Sequence, residues 1–214
     1  MDQEDVMKIT RSGITYNGIF YPNTNVFLLL ENMIAEVPPP RVEMSQPKVD
    51  TNKGICLDIY TDGSHKRMVQ YLGIGAYCCY NDVEYKLSAR VDQALLATYE
   101  ITETTCSNPS AEYVALAEVL KKFKGCKIPK DTTLRFFSDY EGVQKWTNGE
   151  WKAKKPYIIK IRDFVQAAMK EIGCNFALIH VHGHTGIVGN EKADKLAGLA
   201  SSFSNFEKLV ELFK

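Results

Sequence analysis

Two apolar, β-branched runs that each finish on an aspartate constrain this chain more than any other feature. In the first, Ile55-Cys56-Leu57-Asp58-Ile59-Tyr60-Thr61-Asp62-Gly63-Ser64-His65, alternation puts Ile55, Leu57, Ile59 and Thr61 on one face and Cys56, Asp58, Tyr60 and Asp62 on the other. It reads as a central strand over residues 55–61, with Asp62 at its mouth and Gly63-Ser64 as the turn that stops it. The second, Thr133 to Ser138, is apolar without polar alternation and delivers Asp139 in the same way. A chain with two such strands is built around a sheet whose strand ends carry acids.

The intervening and flanking segments fill in that sheet. Residues 73–80 and 84–90 are further strands joined by Asn81-Asp82, a tight hairpin signal, so the first three strands form an antiparallel meander. Residues 91–105 mix helix-favouring Ala94-Leu95-Leu96-Ala97 with extended-favouring Thr98 to Thr105 and read as an insertion. Ser110 precedes a helix striped by Tyr113, Leu116, Leu120 and Phe123, which puts Glu112 in its first turn, where the helix dipole favours a carboxylate. A short helix over 141–147 leads into Trp151-Lys152-Ala153-Lys154-Lys155, and Pro156 opens a longer helix to Ile172. A fifth strand, 175–181, runs into Gly183-His184-Thr185-Gly186, and residues 190–200 form a last helix carrying Asp194. The expected plan is α/β, a mixed five-stranded sheet flanked by helices.

Residues 1–36 form a small N-terminal appendage, with a hairpin at Asn17-Gly18 and a helix candidate over 23–37. Pro38, Pro39 and Pro40 open a linker over 37–53. The main domain covers 54–200, and the tail, 201–214, has helical spacing of Phe206, Leu209, Val210 and Phe213. With 214 residues, 45% hydrophobic and 24% charged, there is material for one good-sized core. The charges balance, 26 basic against 26 acidic, so a nucleic acid would have to be met by a local basic surface. Six cysteines without paired C-x-x-C spacing read as reduced, mostly buried thiols. The acidic start and the shortness of the run Val26 to Leu30, against the ~20 residues a span needs, point to a soluble intracellular protein.

Two strand-terminal aspartates, a helical glutamate and a helical aspartate are hard oxygen donors, suited to Mg²⁺ or Mn²⁺ rather than zinc. Singly, each is an ordinary solvated residue. Their order and context do more. Tyr60-Thr61-Asp62-Gly63-Ser64, Ser110-Ala111-Glu112-Tyr113-x-Ala115-Leu116, Phe137-Ser138-Asp139-Tyr140 and Gly183-His184-x-Gly186-x-x-Gly189-Asn190-Glu191-x-Ala193-Asp194-x-Leu196-Ala197 together resemble the type 1 ribonuclease H family. The resemblance covers roughly residues 54 to 200. It implies the ribonuclease H fold and hydrolysis of the RNA strand of RNA/DNA hybrids. It carries over Asp62, Glu112, Asp139 and Asp194 as ligands of two Mg²⁺ ions, with Mn²⁺ as substitute, and His184 as a mobile histidine serving proton transfer or product exit. In such a scheme ions about 3.5 to 4 Å apart activate a water and stabilise the departing 3′ oxygen, leaving a 5′ phosphate and a 3′ hydroxyl.

Substrate contacts are expected from Gly63 and Ser64 beside the first aspartate, and from Asn108, which is similar to a position the family uses to sense the 2′-hydroxyl. Pro109 and Ser110 depart from the family's pattern there. The stretch from Trp146 to Pro156 has no room for the basic helical handle of some members, so Trp151, Lys152, Lys154 and Lys155 are the nearby basic and aromatic group, weighed equally as phosphate contacts and as a solvated loop. Residues 1–36 lack the Trp-bearing pattern of the family's hybrid-binding domain. His180, His182 and His184 alternate like zinc ligands but lack a fourth at recognisable spacing, and His182 more simply lines the substrate groove. A DNA-cleaving relative and a non-catalytic hybrid-binding module are the rival readings, and a monomer is expected.

Overall fold

The computed structural model describes residues 7–10, 13–16, 19–22, 54–65 and 71–214. Chain contacts divide it into two compact units, residues 1–47 and 48–214. The first contains an antiparallel meander of three strands, β1 (Met7–Thr10), β2 (Gly13–Tyr16) and β3 (Ile19–Pro22), in which Tyr16 pairs with Ile19 across the two-residue connection expected at Asn17-Gly18. The helix candidate over 23–37 and the linker over 37–53 lie outside the described residues.

The second unit is a six-stranded sheet in the order β8-β7-β4-β5-β6-β9. Strands β4 (Cys56–His65), β5 (Leu72–Tyr80) and β6 (Val83–Val91) form the antiparallel meander, while β7 (Thr133–Ser138) and β8 (Asn175–His180) add in parallel on the other side of β4. Asn81 and Asp82 both take positive φ, 51° and 61°, the geometry that lets a two-residue loop match strand twist. The sixth strand, β9 (Phe203–Ser204), pairs with β6 and corrects the count of five. Two residues carry no period a sequence reading can detect.

Helix α1 (Gln93–Thr98) occupies the stretch read as an insertion; the Asp92 side chain accepts from Leu95 N at 3.0 Å and caps it. Helix α2 (Asn108–Phe123) begins earlier than residue 111, because the Ser107 N–H donates to Ser110 Oγ at 2.8 Å and Pro109 is accommodated in a first turn where no N–H is needed. Glu112 therefore lies in the second turn, beyond the reach of the helix-end dipole. Helices α3 (Glu141–Thr147) and α4 (Pro156–Ile172) follow the expected bounds, and Gly173 closes α4 at φ 71°. Helix α5 (Val188–Leu199) starts two residues before Asn190.

Register assigns the helices to faces. Gly63 pairs with Ile74 and Asp62 with Gly75, and directly paired residues share a face. A Cβ at Gly63 would sit 2.1 Å from the Ala111 carbonyl carbon, so α2 crosses the Thr61 and Gly63 face; a Cβ at Gly75 would sit 2.2 Å from Ala193 O, so α5 crosses the Asp62 face. The core between α2, α4 and the first face holds Leu57, Ile59, Ile74, Leu116, Leu120, Leu134, Ile158 and Ile161. In β7 burial alternates, against the expectation of a uniformly apolar strand: Leu134 and Phe136 enter this core, while Arg135 and Phe137 lie on the other face. There Arg135 makes a two-pronged ion pair with Asp58 (2.5 and 2.7 Å), which gives Asp58 a structural role, and Phe137 stacks on Tyr60 at 4.6 Å. The tail continues as α6 (Glu207–Val210) and a single 3₁₀ turn, and docks Phe206 and Phe213 against Phe123.

All six cysteines are free, and the expectation of mostly buried thiols is corrected. Only Cys78 is fully buried; its chain neighbour Cys79 is exposed, as opposite faces of a strand require, and so is Cys56. Glu118, on α2, accepts a hydrogen bond from the Tyr99 hydroxyl at 2.6 Å and ties the end of α1 to α2. Among the described residues, no helix is long and apolar enough to cross a membrane.

Candidate active site

Strand β4 does not stop at Asp62. It continues through Gly63 and Ser64 to His65, so the glycine that reads as a turn is a close-approach residue whose missing side chain admits the α2 backbone. That contact sets the site, because a Cβ at Gly63 would also lie 2.2 Å from Glu112 N. Glu112 is thereby held against Asp62, and Asp139 follows the end of β7, the parallel neighbour of β4. Ligand oxygens of Asp62, Glu112 and Asp139 all lie within 4.8 Å of one another. Asp62 and Glu112 are each only 5% exposed. Asp194, exposed on α5, lines the same open pocket of about 300 Å³ without entering the tight trio.

The surroundings position these acids. Ser138 Oγ donates to Glu112 Oε2 at 3.3 Å, Asn190 Nδ2 donates to Asp139 Oδ2 at 3.4 Å, and His180 Nε2 lies 3.1 Å from the Asp139 carbonyl. Burial pushes the Asp62 carboxyl up to about 6, opposed by a hydrogen bond with Glu112 and reinforced by the negative charges of Asp139 and Asp194. Burial also holds Glu112 well above its ordinary range, followed by the hydrogen bond and charge of Asp62 and by the charge of Asp139. Carboxyls crowded in this way favour a cation over a second negative charge. Their donor set, all oxygen, fits Mg²⁺ or Mn²⁺.

Of the other residues singled out in the sequence, Gly63, Ser64, Asn108 and His184 line the pocket. The Asn108 carbonyl oxygen is engaged by the His65 N–H at 2.8 Å, so this side chain ties β4 to the start of α2. His184 sits at φ 55° in the loop before α5, between glycines. His182 is exposed, its ring 5.5 Å from that of His180, and is not among the pocket's lining. Trp151, Lys152, Lys154 and Lys155 are exposed and also lie outside that lining. Trp151 packs on Trp146 at 6.0 Å, with Lys145 Nζ 5.1 Å from its ring. Among the described residues, Asp62, Glu112 and Asp139 are the one cluster able to chelate a metal, so the histidine alternation makes no zinc site.

Sequence reasoning passed over Ser138, Asn190 and Tyr140. Ser138 and Asn190 are buried polar residues whose partners come from distant segments, and Asn190 Oδ1 has no partner among the described residues. Adjacency to acids, on the two motifs already recognised, was the available signal.

Comparison with known proteins bears on the family. The family model RNase H matches residues 56–202. The chain is 29% identical to a ribonuclease H of Hahella chejuensis over 147 residues, covering 67% of this chain and 91% of that protein. It is 30% identical to a ribonuclease H of Francisella philomiragia over 148 residues, covering 66% of this chain and 88% of that one. A 31% match to human ribonuclease H1 spans 42% of this chain and only 34% of the human protein. Among solved structures, LC11-RNase H1 in complex with an RNA/DNA hybrid superposes with a TM-score of 0.53 at 20% identity, over 67% of this chain and 98% of that one, which bears on the fold alone. With the family's model spanning residues 56–202, most of the chain, and enclosing the Asp62, Glu112 and Asp139 trio as well as Asp194, this protein belongs to the ribonuclease H family.

Proposed function

We propose that the chain is an endoribonuclease that hydrolyses the RNA strand of RNA/DNA hybrids, leaving 5′-phosphate and 3′-hydroxyl ends. The observation that carries the proposal is the convergence of Asp62, Glu112 and Asp139 within 4.8 Å at the end of the sheet. Membership of the ribonuclease H family, with relatives named ribonuclease H matched over most of their length, supports the substrate class.

Asp62, Glu112, Asp139 and, from across the pocket, Asp194 would hold two Mg²⁺ ions, with Mn²⁺ as substitute. Bound there, divalent metal supplies charge neutralisation for the phosphodiester and lowers the cost of deprotonating a water. The protein's own contribution is positional. Ser138 and Asn190 fix the carboxylate rotamers of Glu112 and Asp139, so the donors need little reorganisation when the substrate arrives. In the hydrolysis a water oxygen bonds to phosphorus and the bond from phosphorus to the 3′ oxygen breaks. A proton moves from the water to the solvent side and another reaches the leaving oxygen. His184 is proposed to relay one of these protons or to ease product exit, a reading supported by its exposure and its position in the pocket's lining. Gly63 and Ser64 border the scissile region, and the exposed Lys152, Lys154 and Lys155 with Trp151 are proposed to meet DNA-strand phosphates beyond the pocket.

A gel assay with labelled hybrid, duplex DNA and duplex RNA, with and without Mg²⁺, tests this reading. Cleavage of only the RNA strand of the hybrid, requiring Mg²⁺ and giving ends that a polymerase extends, is expected. An intact RNA strand with Mg²⁺ present, or equal cutting of duplex DNA, would overturn it.

A further inference from the structure

The pocket's polar wall divides into groups already committed to the fold and groups left for a ligand. Asn108 has its carbonyl oxygen on His65 N, and Ser110, beneath the same loop, spends its hydroxyl on Ser107 and Thr105. Neither has its strongest acceptor to spare. Tyr140, also in the pocket's lining, is different: among the described residues its phenolic oxygen has no hydrogen-bond partner, and its backbone N–H donates to Ser138 Oγ at 3.2 Å.

The ring is held in place by packing. A Cβ added at Gly142 would sit 2.4 Å from Tyr140 Cε1 and 3.0 Å from Trp146 Cζ3, so the absence of a side chain there provides the ring's seat. Trp146 lies 5.5 Å from the Tyr140 ring and 5.8 Å from Tyr113, whose hydroxyl is paired with Thr147 at 2.9 Å in the core. A rigid aromatic with a free hydroxyl at a binding wall loses little entropy on contact. A phenol both donates and accepts, which matches a sugar hydroxyl. The acids fix where the scissile phosphate must sit, and the nearest other polar group of the strand is then the adjoining ribose.

We propose that Tyr140 is a substrate-contacting, specificity-determining residue whose hydroxyl reads the 2′-hydroxyl of a ribose next to the scissile phosphate. The inference rests on the hybrid-cleaving function proposed above and names a source of its RNA selectivity.

The test is a cycle between Tyr140→Phe, which keeps the ring and its packing, and hybrids in which each ribose around one cleavage site is replaced in turn by 2′-deoxyribose. On the all-ribose hybrid the variant should lose about three- to tenfold in kcat/KM, the worth of one hydrogen bond. At one nucleotide the deoxy substitution should cost the wild-type chain a similar factor and the variant nothing more. No loss in Tyr140→Phe, or a loss that persists undiminished whichever ribose is removed, would overturn the assignment while leaving the hybrid-cleaving function intact. Failure of the wild-type chain to cut the all-ribose hybrid would instead remove that function.

Discussion

Asp62 concentrates what the site demands of a single residue. In the unfolded chain an aspartate titrates near ~3.9, whereas burial in the folded, metal-free protein pushes Asp62 up to about 6. Across roughly pH 4 to 6 the folded state therefore keeps a proton that the unfolded chain has released, and this group's stabilising contribution declines as pH rises through that window. The deficit at neutral pH is on the order of 1–3 kcal/mol. Asp62→Asn should raise the metal-free melting midpoint at neutral pH, with the gain over wild type shrinking toward about pH 4.5, and should abolish cleavage. Thermal melts of both proteins across pH, with an activity assay, check the prediction. Both Asp62 and Asp139 were legible as strand-borne acids because two apolar runs announce them. The depth of Glu112 was not, since its burial comes from a glycine contact with a strand about fifty residues away.

At the scale of elements, glycine contacts decide how closely helices approach the sheet. A Cβ at Gly75 would lie 2.2 Å from Ala193 O and 2.5 Å from Ala197 N, and neither backbone atom can step aside without moving α5 and with it Asp194. Gly75→Ala should destabilise the protein by about 1–3 kcal/mol and reduce activity further than stability alone explains. Gly198, inside the same helix, has nothing within 4 Å of such a Cβ. Gly198→Ala should stabilise by about 0.5 kcal/mol with unchanged turnover. Urea titrations of the two variants read opposite signs. Strong periodicity made α2 and α4 readable in the sequence to within a few residues, and the Asn81-Asp82 hairpin signal and an apolar run did the same for β5 to β7. Short elements escaped: α1 is six residues held by one Asp92 cap, and β9 is defined only by the strand it joins.

Across the second unit, the tail closes the core and the charge distribution governs the encounter with substrate. Phe206 is fully buried against Phe123, so Phe206→Ala should cost about 3–5 kcal/mol although it lies outside the region of family resemblance; differential scanning calorimetry measures it. With no net charge, long-range attraction to a hybrid must come from local lysines. Replacing Lys152, Lys154 and Lys155 together by alanine should flatten the dependence of log affinity on log salt by roughly 2 to 3, and an unchanged slope would return them to the role of a solvated loop. The acids themselves hang on β4, α2, the end of β7 and α5, elements that no local fluctuation assembles. A cation held by all of them, as proposed above, would act as a clasp across the sheet. Saturation with magnesium should thus slow amide exchange in α5 as well as in β4, tightening segments over a hundred residues apart by one and the same free energy.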